Sequence, residues 1–381
     1  MRKIAVITGT RSEYGIFKSV LKELQANAEM RLSLIVIGMH LSPEFGYTVD
    51  EIEKDGYKIG AKVAVLHDED TKASMARSIG ECLSRTAEAL EKIEPDILLA
   101  LGDRSEMLVG AVAATYMGIP IAHIHGGEVS GSVDEPVRHA ITKLAHLHFA
   151  ATKESADRIK KMGEEPWRVH VVGAPGLDLI LSEEIPKPEK MAAKYELDFS
   201  KPVVLVLQHS VVTEADEAAG QIRKTLEAIK DLDLQTVLIY PNADAGGRSM
   251  IKSIKEYEKY PFIKTFKSIP HEDYLGLMRL ASVMVGNSSS GIIEAPSFAL
   301  PVVNIGNRQI GRQRAGNVID VSHDREEITR AVRKALFDKT FRETVKDCKN
   351  PYGDGKAGKR IARILGQVEL GKKLLEKRMT Y

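Results

Sequence analysis

The chain has 381 residues and carries 54 lysines and arginines against 53 aspartates and glutamates, a formal net charge of +1. That balance excludes a global field drawing it to nucleic acid or to a membrane surface, so an anionic ligand must be held by a few placed cations and backbone amides. With 43% hydrophobic and 28% charged residues, it reads as a globular protein long enough for two domains, each with its own core.

The opening MRKIAVITG sets two basic residues before an apolar run. The run gives way to polar TRSEYG before reaching the ~7–15 residues of a secretory leader core, and so reads as a first buried strand. Further strands are expected at 32–38, 97–101, 119–124, 147–151 and 169–172, then at 203–207, 236–239, 283–285 and 302–305. Amphipathic helical patterns lie between them, among them 16–24, 75–93 and 215–229. The strand runs are continuously apolar rather than alternating, which argues for parallel sheets covered on both faces. The fold class expected is therefore α/β, with two doubly wound domains.

Pro175, Pro186, Pro188 and Pro202 mark a seam, with a linker near 173–188. The expected division is 1–172 and 173–355. The tail, 356–381, has apolar residues at helical spacing and is either a solvated helix or one that crosses back to the first domain. No apolar stretch approaches the ~18 residues of a membrane span. Cys82 and Cys348 are too few for a disulfide framework or a cysteine zinc site, and a cytoplasmic setting is expected.

In open parallel sheets ligands bind beyond the carboxyl ends of the strands, so the residues after each strand carry the functional signal. The first strand is followed by Gly9-Thr10-Arg11-Ser12-Glu13-Tyr14-Gly15, where backbone amides and Arg11 would meet an anion, or the loop is a tight turn with a surface arginine. It is not the glycine pattern of a dinucleotide site. Asp103 and Arg104 end the third strand, suited to substrate and phosphate contacts or to a helix N-cap.

The segment from His123 to His148 is denser. Alternation on a strand would point His123 and His125 the same way. A His-x-His spacing is not a diagnostic metal motif, so no metal is expected, and His123 reads as a packed core histidine. His125, Glu128 and Asp134 suit acid–base work, while Asp134 and Arg138 at i, i+4 also read as a helix-surface ion pair. Later, His209 and the loop holding Asn242 follow strands. Gly286-Asn287-Ser288-Ser289-Ser290-Gly291 opens a helix expected to run through Glu294, a cradle for a diphosphate or a serine-rich cap. Arg308 follows the next strand.

Together GTRSEYG (9–15), GDR (102–104), HIHGGEVSGSVDEPVRHAITKLAHLH (123–148), PNADAG (241–246), GNSSSG (286–291) and NRQIGR (307–312) resemble the UDP-N-acetylglucosamine 2-epimerase family. The resemblance implies a glycosyltransferase-B architecture, two Rossmann-like domains facing across a cleft with the C-terminal helix returning to the first. It implies that His209, Asn242, Ser288, Ser289, Glu294 and Arg308 bind the nucleotide in the second domain, with Arg11 reaching in and Arg104 nearby. Asp103, His125, Asp134 and Arg138 would surround the sugar, Asp103 and Asp134 foremost for acid–base work. His125 stands where the non-hydrolysing branch resembles His-Val-Glu-Ala-Gly, which favours the hydrolysing branch: UDP-GlcNAc and water to UDP and N-acetylmannosamine, through a 2-acetamidoglucal. No cofactor is implied. The partner implied is a small-molecule nucleotide sugar, in a homodimer or homotetramer.

Overall fold

A computed structural model of the chain describes residues 1–65, 71–131, 133–182 and 185–380. Among the described residues thirteen strands form two sheets. The first contains β1 (Arg2–Thr8), β2 (Met30–Ile37), β3 (Ile59–Val63), β4 (Ile97–Leu101), β5 (Ile121–Ile124), β6 (Leu147–Ala150) and β7 (Val169–Val171), in the order β3-β2-β1-β4-β5-β6-β7. The second contains β8 (Val203–Leu207), β9 (Gln235–Ile239), β10 (Ile263–Phe266), β11 (Val283–Gly286), β12 (Val302–Ile305) and β13 (Val318–Val321), in the order β10-β9-β8-β11-β12-β13. Every neighbouring pair is parallel.

Two-sided burial explains the continuous apolar runs. Ile4 and Val6 join one core cluster while Ala5 and Ile7 join another on the opposite face. Likewise Val203, Leu205 and Leu207 pack on one side of the second sheet and Val204 and Val206 on the other. Each such Val, Leu or Ile side chain contributes about 1.5–3 kcal/mol by leaving water. The strands that composition does not announce, β3, β10 and β13, are short flank strands with half-exposed residues such as Lys62, Lys264 and Asp320, so no apolar run marks them. β5 starts at Ile121 rather than 119, immediately after Pro120. The helix expected at 215–229 is a 3-10 turn, Val212–Glu217, followed by an α-helix, Ala218–Leu232.

The two sheets have matching topology, and in each the strand order reverses beside the first strand: between β1 and β4, and between β8 and β11. Those are the switch points where a parallel α/β sheet opens a crevice. The loops after β1, β4, β8 and β11 carry Arg11, Asp103, His209 and Ser288. Among the described residues no helix is long and apolar enough to cross a membrane.

The tail is not one helix from 356 onward. A helix, Ala357–Gln367, packs Ile361 and Leu365 into the core cluster of Phe17, Leu21 and Leu24 on the first sheet. Gly358 permits this approach, since a Cβ there would lie 2.9 Å from the Ser19 carbonyl oxygen. Asp178 caps the helix start, accepting from the amides of Ala357 and Gly358 at 2.9 and 2.6 Å. The chain then breaks, with Gly371 at φ +154°, into a short helix, Lys372–Leu375. Arg168 holds that segment. Its buried guanidinium donates to the carbonyls of His146, Leu374, Lys373 and Glu376 at 3.2, 2.7, 2.9 and 3.0 Å. Residue 381 lies outside the described residues.

Arg168→Ala would leave those carbonyls unpaired, and the variant is expected to lose about 3 kcal/mol of stability in urea unfolding. Trypsin should then cut at Lys372, Lys373 and Lys377 well before the globular core. Unchanged protection of the tail would contradict the role given to Arg168.

Candidate active site

The carboxyl ends of the two sheets face each other across a cleft of about 1350 Å3, its opening to solvent included. Its lining includes every catalytic or binding candidate named above: Arg11, Asp103, Arg104, His125, Glu128, Asp134 and Arg138 from the first half of the chain, and His209, Asn242, Ser288, Ser289, Glu294 and Arg308 from the second.

The loop after β1 is a helix cap. Thr10 Oγ1 accepts from the Glu13 amide at 3.3 Å, and Glu13 Oε2 accepts from the amides of Gly9 and Thr10 at 2.8 and 3.1 Å. Those two amides are therefore satisfied within the loop, contrary to the expectation that they meet an anion. What the loop delivers is Arg11, which lies over the Tyr274 ring at 5.4 Å and whose Nη1 is buried without a hydrogen-bond partner. Burial pushes the Glu13 carboxyl up to about 8, opposed by Arg104 and reinforced by Glu106.

After β4, neither residue of the Asp103-Arg104 pair caps the following helix, Ser105–Tyr116, with its side chain. Asp103 bonds Nη2 of the buried Arg138, whose Nη1 reaches the Glu128 carbonyl at 3.0 Å and Ser130 Oγ at 3.3 Å. Burial alone would raise the Asp103 carboxyl, but Arg138, Arg312 and Arg308 outweigh it and hold the group below the ordinary range. The helix-surface pair of Asp134 with Arg138 is thus not the dominant contact: Asp134 Oδ2 instead meets Arg308 Nη2 at 3.1 Å across the cleft. Arg104 faces Asp244, Glu106 and Glu13 at 3.2, 3.3 and 3.7 Å.

His123 and His125 do not point the same way. β5 ends at Ile124, and His125 adopts φ +63°, which breaks the alternation. His123 turns into the core, with Nε2 2.7 Å from the Gly102 carbonyl and Nδ1 3.2 Å from Thr142 Oγ1. His125 faces the cavity, its Nδ1 2.5 Å from Glu128 Oε1. Glu128 is buried, yet Arg312 and His125 hold its carboxyl down at about 2 against the upward push of burial. An ionised carboxylate only accepts, so Nδ1 of His125 carries a proton and its other ring nitrogen is the one left for the cavity.

On the second sheet, Asn287 ties the two switch-point strands together. Its Oδ1 accepts from the His209 amide at 2.7 Å and its Nδ2 donates to the His209 carbonyl at 2.9 Å. The Asn242 amide donates to His209 Nδ1 at 3.2 Å. That bond requires a lone pair on Nδ1, so the neutral ring presents Nε2–H, and burial with Arg308, Arg104 and Arg11 nearby drives its basicity well down.

The serine helix is a single α turn, Ser290–Ile293, with the Glu294 amide still bonding the Ser290 carbonyl at 3.0 Å, and it passes into a 3-10 turn, Ala295–Phe298. Pro296 lacks the amide that would continue the α-helix. Ser290 Oγ lies 2.9 Å from Ser288 Oγ and 2.5 Å from the Tyr274 hydroxyl. Burial raises the Glu294 carboxyl to about 7, and its Oε2 has no hydrogen-bond partner.

Several lining residues were not singled out from the sequence. Glu13 was recoverable from the Thr-x-x-Glu spacing of a capping box. His271 and Tyr274 follow β10, an unrecognised strand, and His271 is buried with Nε2 unpartnered. Arg312 sits inside NRQIGR, but nothing in that string distinguishes it from Arg308.

A family profile described as UDP-N-acetylglucosamine 2-epimerase matches residues 22–366. The chain is 40% identical over 381 residues, covering 100% of both chains, to a Legionella pneumophila protein named UDP-N,N'-diacetylbacillosamine 2-epimerase (hydrolyzing). It is 35% identical over 325 residues, 84% of each chain, to the GDP/UDP-N,N'-diacetylbacillosamine 2-epimerase (hydrolyzing) of Campylobacter jejuni. In fold it is similar, at a TM-score of 0.79 and 19% identity over 97% of this chain and 100% of the other, to the UDP-GlcNAc 2-epimerase of Neisseria meningitidis in its complex with UDP-GlcNAc. With its two Rossmann-like halves facing across the cleft, the chain belongs to the UDP-N-acetylglucosamine 2-epimerase family.

Proposed function

We propose that the protein hydrolyses a UDP-linked 2-acetamido sugar with inversion at C2, releasing UDP and the free manno-configured sugar. The observation that carries this reading is the opposition across one cavity of a carboxylate-backed histidine, His125, on the first sheet and of Ser288, Ser289 and Arg308 on the second, with Arg11 lining the same cavity. The first half of the chain then serves the sugar and the second the nucleotide.

In the first step His125 takes the C2 proton through its free ring nitrogen while the C1–O bond to UDP breaks, and the electron pair of the C2–H bond forms the C1=C2 bond of a 2-acetamidoglucal. Arg11 and Arg308, with the Ser288 and Ser289 hydroxyls, stabilise the departing diphosphate. Glu294 accepts from the ribose hydroxyls, and His209 Nε2–H and Asn242 orient the nucleotide. Water then adds, its hydroxyl at C1 and a proton at C2 on the opposite face. Asp103 and Asp134 are each engaged by an arginine, which weakens them as bases and suits them to bonding sugar hydroxyls and the attacking water. His125 is therefore preferred over them for the C2 proton.

UDP-GlcNAc, giving N-acetylmannosamine, is the first substrate reading. A second is favoured by the full-length relative at 40% identity, whose name specifies the UDP-linked N,N'-diacetylbacillosamine. The test is proton NMR of a panel in D2O: UDP-GlcNAc, GDP-GlcNAc and UDP-N,N'-diacetylbacillosamine. The expected product is a free sugar inverted and deuterated at C2, together with UDP. A UDP-linked epimer as the final product would indicate reversible epimerisation, and an untouched panel would refute the proposal.

His125→Ala should lower kcat by about 10²–10⁴-fold, the usual contribution of a general base. Glu294 gives a pH prediction. Its carboxyl ionises near 7, and only the ionised form accepts from both ribose hydroxyls, so its contribution to binding grows as pH rises through that value. The gap in UDP affinity between wild type and Glu294→Gln, measured calorimetrically, should widen from pH 6 to pH 8. A gap that narrows would remove Glu294 from the ribose.

A further inference from the structure

His125 is held at φ +63°, a left-handed backbone conformation that a non-glycine residue adopts only under strain, and the surroundings enforce it. Gly126 packs so closely that a Cβ would lie 2.9 Å from both His123 Nδ1 and Thr142 Oγ1. Gly127, at φ +75°, would place one 2.3 Å from the Ser155 carbonyl oxygen. The turn brings Glu128 back beneath the imidazole at 2.5 Å.

The other oxygen of Glu128 is held from the opposite domain. Arg312 Nη1 lies 3.2 Å from Glu128 Oε2, both side chains being buried. Arg312 stands on the loop after β12, which is fastened to the first domain by its backbone: the Gly131 amide donates to the Arg308 carbonyl at 3.0 Å. The fit is tight, since a Cβ on Gly131 would lie 2.0 Å from the Asn307 carbonyl oxygen. Arg312 therefore reaches Glu128 only while the two domains are in contact.

We propose that Glu128 and Arg312 are a positioning pair for His125, one carboxylate oxygen accepting the hydrogen bond from Nδ1–H and the other anchored by an arginine of the facing domain, so that the base is assembled by domain contact. The proposal rests on the reading of His125 as the C2 base. Without Glu128 the ring is free to protonate the wrong nitrogen and to leave its strained conformer. Without Arg312 the carboxylate loses the cation that keeps it ionised and fixed in a buried site. Neither residue needs to touch the substrate to act.

The test uses the full chain and whichever UDP-sugar of the panel is turned over, with UDP as the binding probe. Glu128→Gln is expected to lower kcat about 10–100-fold with KM and UDP affinity changed less than about threefold. The primary isotope effect from deuterium at C2 should rise as proton removal becomes slower. Arg312→Ala should act in the same direction, Arg312→Lys should restore most of the loss, and adding Arg312→Ala to Glu128→Gln should cost little more. The arginine pair keeps the test open should Glu128→Gln fold poorly.

If His125→Ala is inactive while Glu128→Gln and Arg312→Ala keep kcat and isotope effect, the positioning pair is refuted and the base stands. The pair is likewise refuted if, in single turnover, Glu128→Gln costs as much in a His125→Ala background as alone. If His125→Ala keeps kcat, the reading of His125 falls and the pair falls with it.

Discussion

Arginine–carboxylate pairing across the cleft, between buried or half-buried side chains, is the constraint from which the site follows. Arg308 with Asp134, Arg312 with Glu128 and Arg104 with Asp244 each join one domain to the other, at 3.1, 3.2 and 3.2 Å. A charge withdrawn from water is costly unless it is paired, and removing one partner strands the other. Pairing also sets the acidity of residues of one kind at similar burial. Glu128, with Arg312 and His125 beside it, is held at about 2, while Glu294, where burial outweighs the nearby positive charge, rises to about 7. Pairing thus favours the charged form of one glutamate behind the histidine, while burial favours the neutral form of another in the same cavity.

Steric fit reinforces the electrostatics. A Cβ on Gly15 would lie 2.3 Å from His271 Nδ1, so the first helix of one domain is seated directly against the other domain. Phe45, in the turn after β2, is buried in the apolar cluster of the second sheet with Val204, Val206 and Tyr240, and Arg248 meets Glu44 beside it at 3.0 Å. Domain interfaces within a chain ordinarily permit motion. Here apolar, steric and ionic contacts specify one orientation, and the cavity takes its shape from it.

Much of this was legible from residues because parallel α/β sheets place function at strand ends. Ten strands were readable from apolar runs, most of them because burial on both faces leaves no polar alternation to dilute them; β7 is a half-exposed flank strand that was read all the same. β3, β10 and β13 were not, because a flank strand covers less and tolerates Lys62, Lys264 or Asp320. That omission hid the helix bearing His271 and Tyr274. The candidates meet in one cavity because each follows a strand, but their pairings were not readable. Asp134 looked bound to Arg138 four residues on, whereas its partner across the cleft, Arg308, is 174 residues away. The rule of alternation misplaced His125 because one left-handed residue ended the strand where alternation assumed it continued.

In the reaction proposed, proton and leaving group depart from opposite faces of the sugar, and that geometry accounts for two sheets. A single switch point gathers its loops on one side of a ligand. Two sheets with their carboxyl ends opposed put the His125 loop, after β5, on one side and the Ser288 and Arg308 loops, after β11 and β12, on the other. A sugar lying between them is flanked by a proton acceptor and by the groups that stabilise a departing diphosphate. Because Arg312 stands in the same loop as Arg308 yet braces the histidine's glutamate, the domain that holds the leaving group also secures the base. In the reaction proposed, the base and the leaving-group site are therefore formed by the same contact between the domains.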